Sequence, residues 1–447
     1  MLSSKPKKVL IISYYFPPSG GAGVQRILKF VKYLPEFGWE PIVLAPRNAD
    51  YPAYDEKLMQ EIPASVKVYH SKIIEPYKLY RKFTGKKSGE ATDIATLSRD
   101  SKQQQNARER ISEYIRSYFF IPDARVGWRP FAVREGLKVI QKEEISVLLS
   151  SAPPYTCHLI AKTLKNKTGL AWICDFRDSW VGWLSAARRR GLPRKIECNM
   201  EHDVLKQADR ILTVSAGVQE DLQNRNPDLI DSRWVLLPNG YDSADFEGLS
   251  PTPREESDKL VLTYTGSLYG NRNPTFLLKA LEELIAEDPT WKNDVRLVFI
   301  GRVGEPIQDQ LSQEKFKDII KIIPYVTHHE SIRYLLASDV LLLIIDDAPA
   351  NKGILTGKLY EYLGARKPIL ALAPQGDAAN LIRELKAGFI VPPKNVAQIK
   401  QILIEIRNKW KNNQLETNLF DEEKLKVLDR RELTRRLANI LNEVLIK

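Results

Sequence analysis

The chain has 447 residues, too many for one compact core, so its length alone predicts two domains. With 43% hydrophobic and 28% charged residues the balance is globular and excludes disorder over much of the length. The net charge is +11; the sequence has no zinc-finger spacing, RNP signature or basic stripe interleaved with stacking aromatics, so no nucleic-acid partner is expected and an anionic membrane surface is.

No apolar run approaches the roughly 20 residues that span a bilayer. The short apolar stretch after Met1 to Lys8 reads as a first strand rather than a secretion signal. The expected location is therefore cytoplasmic, peripheral at the inner face of the plasma membrane. Cys157, Cys174 and Cys198 form no CxxC pair, and the five histidines suggest no metal cluster.

Along the first half, short β-rich runs alternate with amphipathic stretches, the pattern of a parallel sheet with helical crossovers. Val9-Leu10-Ile11-Ile12 reads as a buried strand and runs into Pro17-Pro18-Ser19-Gly20-Gly21-Ala22-Gly23. Val24, Ile27, Leu28, Val31 and Leu34 then recur at helical spacing. Between strand and helix, Gly21 and Ala22 permit close backbone approach of an anionic ligand, although a tight structural turn needs similar residues. Further strands are expected at 41–45, 145–149, 171–174, 211–214 and 235–237. From about 71 to 129 the rhythm breaks into a basic, then aromatic stretch (Lys82, Lys86, Lys87, Arg108, Arg110; Tyr114, Tyr118, Phe119, Phe120). It reads as a flexible insertion or a covering helical element, placed to receive an acceptor or touch the membrane.

In Trp172 to Trp180, polar residues gather at a strand's end. Asp178 can accept a proton or orient a hydroxyl, and Arg177 can stabilise developing charge; a buried Arg–Asp pair is the plainer reading. Arg188-Arg189-Arg190, followed by Arg194-Lys195, suits a pyrophosphate-linked lipid or equally a solvated charge run.

After Pro238-Asn239-Gly240-Tyr241 and a Pro-, Ser- and Glu-rich linker at 250–258, alternation restarts. Strands are expected at 260–264, 295–300, 340–345, 368–372 and 388–391, and a helix at about 274–287. The expected division is 1–249, 250–425, and a basic C-terminal helix at 426–447 packing across the domains.

Two groups in this half suit a nucleotide. Gly266-Ser267-Leu268-Tyr269-Gly270-Asn271-Arg272 lies between a strand and a helix, and Arg272 has the fork that matches phosphate oxygens. In Thr356-Gly357-Lys358-Leu359-Tyr360-Glu361-Tyr362-Leu363, Lys358 and Glu361 fall about 60° apart on one helix side. A first-turn lysine opposes the helix dipole unless an anion sits there too, and a diphosphate supplies one. Glu361, a pure acceptor, can take both hydroxyl hydrogens of a ribose diol. A surface Lys–Glu pair is the alternative. The adjacent Asp346-Asp347 is a weaker candidate for a metal.

These anchors, with Gly364 and the run Arg366-Lys367-Pro368-Ile369, resemble glycosyltransferase family 4, retaining enzymes of the GT-B architecture. Ser151-Ala152-Pro153-Pro154 and Arg177 to Trp180 are similar to segments of bacterial surface-polysaccharide enzymes. The resemblance implies an α/β fold of two Rossmann-like domains facing across a cleft. It implies a UDP- or GDP-linked sugar donor and a glycan or polyprenyl-pyrophosphate-linked acceptor, with no metal or other cofactor required. Donor binding then falls to Gly21, Ala22, Gly266, Arg272, Lys358, Leu359 and Glu361, and catalysis to Asp178 and Arg177. Gly353 stands where the family has the first glutamate of a Glu-x7-Glu motif, and Ser267 where many members carry an arginine. Lys358 is expected to take over part of that charge. A nucleotide-sugar epimerase of the same architecture and a catalytically weak assembly scaffold are the competing readings.

Overall fold

The computed structural model describes residues 7–51, 53–74, 118, 120–181, 189–254, 256, 258–270, 272–347, 353, 355–415 and 420–446, with the backbone alone for Ala22. Most of the 71–129 stretch, and Arg188, lie outside the described residues. The chain divides into two compact units, 1–238 with 430–447, and 239–429. The division thus falls eleven residues before the expected 249/250 boundary, since 249 − 238 = 11.

The first unit holds seven parallel strands: β1 (Lys7–Ile12), β2 (Trp39–Pro46), β3 (Lys67–Ser71), β4 (Val147–Ala152), β5 (Ala171–Phe176), β6 (Arg210–Thr213) and β7 (Trp234–Leu236). Their order is β3-β2-β1-β4-β5-β6-β7. The second unit holds β8 (Leu260–Thr265), β9 (Val295–Ile300), β10 (Ile320–Ile323), β11 (Val340–Ile344), β12 (Ile369–Leu372) and β13 (Gly388–Val391), ordered β10-β9-β8-β11-β12-β13. In both, the order reverses beside the first strand, which makes β1/β4 and β8/β11 the switch points of two doubly wound sheets.

Both sheets are covered on both faces, as parallel sheets require. Leu10 and Ile12 of β1 point into one core, and Val9 and Ile11 into the other. The second face is closed by the C-terminal helix Arg430–Leu445, which buries Leu433, Leu437, Leu441 and Val444 at near-helical repeats. This helix belongs to the first unit, where Arg431 also pairs with Glu36 and Arg210 with Glu443. β3 and β10 are edge strands without a continuous apolar run, and hydrophobic composition alone does not reveal them.

The carboxyl edge of the first sheet is tied by one buried ion pair. Arg26, on the helix Ala22–Tyr33, donates Nη2 to Asp175 Oδ1 at 2.8 Å and Nε to Asp175 Oδ2 at 3.0 Å, with side chains 1% and 0% exposed. Its remaining donors reach the carbonyls of Leu237 and Pro238 at 2.9 and 2.8 Å. Ser151 Oγ donates to the other side of the carboxylate at 2.7 Å. Burial pushes the Asp175 carboxyl up, but Arg26 and Ser151 outweigh it and hold it below the ordinary value. Its contribution to stability is therefore present at neutral pH and lost as pH falls through the folded-state value. Replacing Arg26 by Met strands a buried carboxylate. Urea denaturation at pH 7 is expected to show a loss of about 3–5 kcal/mol, and adding Asp175→Leu should recover much of it.

Candidate active site

At the β8/β11 switch point, β8 ends in Tyr264 and Thr265 and turns at Gly266, whose φ is +107°. That angle favours glycine, and the space does too: a Cβ there would lie 2.9 Å from Lys358 Nζ. The turn is laced to the end of β9 and the loop that follows it. Gly266 N donates to Ile300 O at 2.8 Å and Leu268 N to Arg302 O at 2.9 Å.

Lys358 enters from the helix Gly357–Ala365, which follows β11. Tyr362, one turn on, donates its hydroxyl to Leu342 O of β11 at 3.2 Å and accepts from Thr265 N of β8 at 2.9 Å. One tyrosine thus clamps the helix across both switch-point strands. Lys358 Nζ donates to Tyr264 Oη at 2.5 Å and lies 3.9 Å from that ring's centroid.

Burial holds the Lys358 ammonium well below the lysine range, and the nearby Arg272 pushes it the same way, against a smaller opposing pull from Glu361. Arg272 lies with its guanidinium carbon 5.5 Å from the Tyr269 ring centroid. Among the described residues neither cation forms an ion pair with a carboxylate. The helix is entered from Thr356, whose Oγ1 is buried and caps no amide, and the amides of Gly357 and Lys358 have no intrahelical acceptor. Two neighbouring cations and open amides make a site for a polyvalent anion.

The structure therefore brings together Gly266, Arg272, Lys358 and Glu361. Leu359, also expected at the donor site, has its side chain fully buried in the core, and its amide donates to Thr356 O at 3.1 Å. Sequence reasoning missed Tyr264, Thr356 and His328. His328 stands 3.6 Å by Nδ1 from Glu361 Oε1. The Thr327-to-Glu330 capping box that starts its helix was legible as a pattern.

Gly21 and Ala22 belong to the first unit. Gly21, at φ +85°, supplies the turn, and Ala22 opens the helix Ala22–Tyr33. Gly23, in the same turn, packs closely as well, since a Cβ there would press on the Tyr15 ring at 3.3 Å. Arg177, expected to stabilise developing charge, is held by backbone carbonyls. Its guanidinium donates to the carbonyls of Ala152, Pro153 and Gly23, pinning the end of β4 to the turn after β1. The buried Arg–Asp pair is Arg26–Asp175 rather than Arg177–Asp178. Of the basic run, Arg189 is buried on Glu197 and on the carbonyls of Phe120 and Pro122, whereas Arg190, Arg194 and Lys195 are exposed. Asp347 faces Lys394 at 3.6 Å.

Residues 19–245 match the family described as Glycosyltransferase Family 4, and residues 259–409 match Glycosyl transferases group 1. Two doubly wound parallel sheets in this order define the GT-B architecture. A glycosyltransferase from Rickettsia africae has this fold at TM-score 0.63 and 13% identity, covering 99% of each chain. So does the sucrose-phosphate synthase of Thermosynechococcus elongatus, at 0.66 and 12%, covering 98% of this chain and 99% of that one. TarM of S. aureus, solved with fondaparinux, an α-GlcNAc-glycerol and UDP, matches at 0.61 and 9%, covering 98% and 100%. A D-inositol 3-phosphate glycosyltransferase of Kineococcus radiotolerans is 24% identical over 160 residues, 32% of this chain and 35% of its own length. The chain belongs to glycosyltransferase family 4, and it is a glycosyltransferase. No helix among the described residues is long and apolar enough to cross a membrane.

Asp178 follows β5, and burial raises its carboxyl from 3.8 to about 6 despite Arg177 beside it. A raised carboxyl pKa means that the folded state binds more protons, so stability falls as pH rises from about 4 to about 6. Asp178→Asn is expected to raise the melting temperature at pH 7.5 and to leave it nearly unchanged at pH 3.5.

Proposed function

We propose that this glycosyltransferase transfers a hexose, with retention of configuration and without a metal, from a UDP- or GDP-linked sugar. The acceptor is a glycan or a polyprenyl-pyrophosphate-linked glycan in surface-polysaccharide synthesis at the inner membrane face. The observation that carries the donor assignment is the Lys358 ammonium laid against Gly266, close enough to Arg272 to be depressed by it. Holding two such cations together is costly until an anion arrives. A nucleoside diphosphate matches in charge, and it is the leaving group of the reaction. TarM was solved with UDP, which supports the same class of donor.

In this mechanism Arg272, Lys358 and the open amides of the Gly357 helix stabilise the diphosphate as the glycosidic C–O bond breaks. Glu361 takes the ribose hydroxyls. The acceptor hydroxyl attacks the same face of the sugar, with Asp178, half protonated near pH 6, orienting it or taking its proton.

Thermal shift against UDP-, GDP-, ADP- and dTDP-sugars tests the donor site. One nucleotide at 100 times its dissociation constant should stabilise the protein by about 2.7 kcal/mol. Lys358→Met should bind that nucleotide about 10–100-fold more weakly. If no nucleotide shifts the melting curve, the donor reading fails. Epimer formation from the donor alone would favour the epimerase instead.

Lys358 also sets a pH dependence. Because its folded value is depressed, the ligand-free protein gains stability as pH rises through that value, and Lys358→Met should gain most on the acid side. A bound diphosphate favours the charged ammonium, so binding takes up a proton. Above about pH 7.5, where the diphosphate is ionised, calorimetry should show affinity falling with pH in wild type but not in Lys358→Met.

A further inference from the structure

We propose that His328 is a positioning residue for Glu361, holding its carboxylate in the orientation that receives the ribose diol. The proposal rests on the reading of Glu361 as the ribose acceptor. The imidazole sits between two carboxylates, with Nε2 3.2 Å from Asp245 Oδ2 and Nδ1 3.6 Å from Glu361 Oε1. The side chains of Asp245, His328 and Glu361 are 14%, 16% and 24% exposed, so none is a free surface group.

Each member comes from a different element and is fixed there. Asp245 ends the short turn Ser243–Asp245, which is capped by Asp242 and tied to Asp429 through the Ser243 amide at 3.1 Å. His328 is the first residue of the helix His328–Leu336, locked by the reciprocal cap between Thr327 and Glu330. Glu361 is one turn into the helix whose first turn carries Lys358. Gly364 of that helix meets Phe246 so closely that a Cβ would stand 2.5 Å from the ring, which fixes the spacing between helix and turn.

Imidazole is suited to this place because its nitrogens face opposite ways. The neutral ring donates to one carboxylate, and the protonated ring donates to both. Held at Nε2 by Asp245, the ring cannot turn away, and in its protonated form Nδ1–H draws Glu361 Oε1 toward it. Oε2 and the free lone pairs of Oε1 are then presented to a diol. Without the ring, Glu361 would be a long side chain free among its rotamers beside Lys358, and fixing it would cost binding energy. In its protonated form the ring also offsets carboxylate charge near a ligand that is itself anionic.

The test compares the dissociation constants of the preferred nucleoside diphosphate, its 2′-deoxy counterpart and inorganic pyrophosphate. Wild type, His328→Ala, His328→Gln, Asp245→Asn, Glu361→Gln and the Glu361→Gln/His328→Ala double variant are measured, each checked for folding by circular dichroism. Wild type should prefer the ribonucleotide by about tenfold, and Glu361→Gln should lose that preference. His328→Ala should lose most of it, with pyrophosphate binding unchanged, and the double variant should be no worse than Glu361→Gln alone. His328→Gln, which keeps one donor, should retain part of the preference, and Asp245→Asn should weaken it. A preference lost in Glu361→Gln but intact in His328→Ala overturns this proposal alone, as does an equal loss for all three ligands. A preference intact in Glu361→Gln overturns the ribose reading and the proposal with it. If His328→Ala does not fold, His328→Gln and Asp245→Asn decide in the same way.

Discussion

The Arg26–Asp175 pair is the constraint on which the first unit depends. A parallel sheet ends all its strands on one edge, and the loops there must leave it without a hairpin to hold them. Arg26 solves this by spending one guanidinium on three elements: the carboxylate of β5 and two carbonyls just beyond β7, from a helix that follows β1. Arg177 repeats the device between β4 and the turn after β1. Such pairs are not obvious sources of stability, since desolvating two ions consumes most of their attraction. What they provide is placement, because one guanidinium must meet a carboxylate and two carbonyls at once, which restricts the arrangement of the edge.

The second unit meets the same requirement with a neutral group. Tyr362 joins β8 to β11 through its hydroxyl and carries the Gly357 helix with it. Since the helix is clamped at its second turn, its first turn and Lys358 are held at Gly266. The clamp itself is thus an uncharged, buried hydroxyl, and it fixes where Lys358 stands without using a charge.

The central strands were legible because they are buried on both faces and read as unbroken Val, Ile and Leu runs. β3 and β10 were not, because Lys67, His70 and Lys321 interrupt their apolar signal, unlike the edge strands β7 and β13. The donor-site candidates were legible where their chemistry lies close in sequence, as with Lys358 and Glu361. What could not be read were partners from distant elements: Tyr264 is 94 residues from Lys358, and Asp245 is 83 from His328. Arg177 shows the same limit: the backbone carbonyls of Ala152, Pro153 and Gly23 that hold it leave no trace in the residue pattern. Asp175, two positions earlier and not singled out in the sequence, is the carboxylate of the buried pair.

Gly266 and Lys358 should be understood as one feature. Any side chain at 266 would occupy the volume that Nζ fills, and the positive φ already disfavours one. A lysine in a helix's first turn, packed on a tyrosine ring and near an arginine, is a poor choice for stability alone. Where a family member with an arginine at 267 would place a permanent charge on the loop, this chain has Ser267 and a lysine reaching across from the next element. An ammonium is more readily neutralised by burial than a guanidinium. On the proposed donor reading, a fixed charge is exchanged for one that burial suppresses in the empty protein and that an arriving diphosphate would restore.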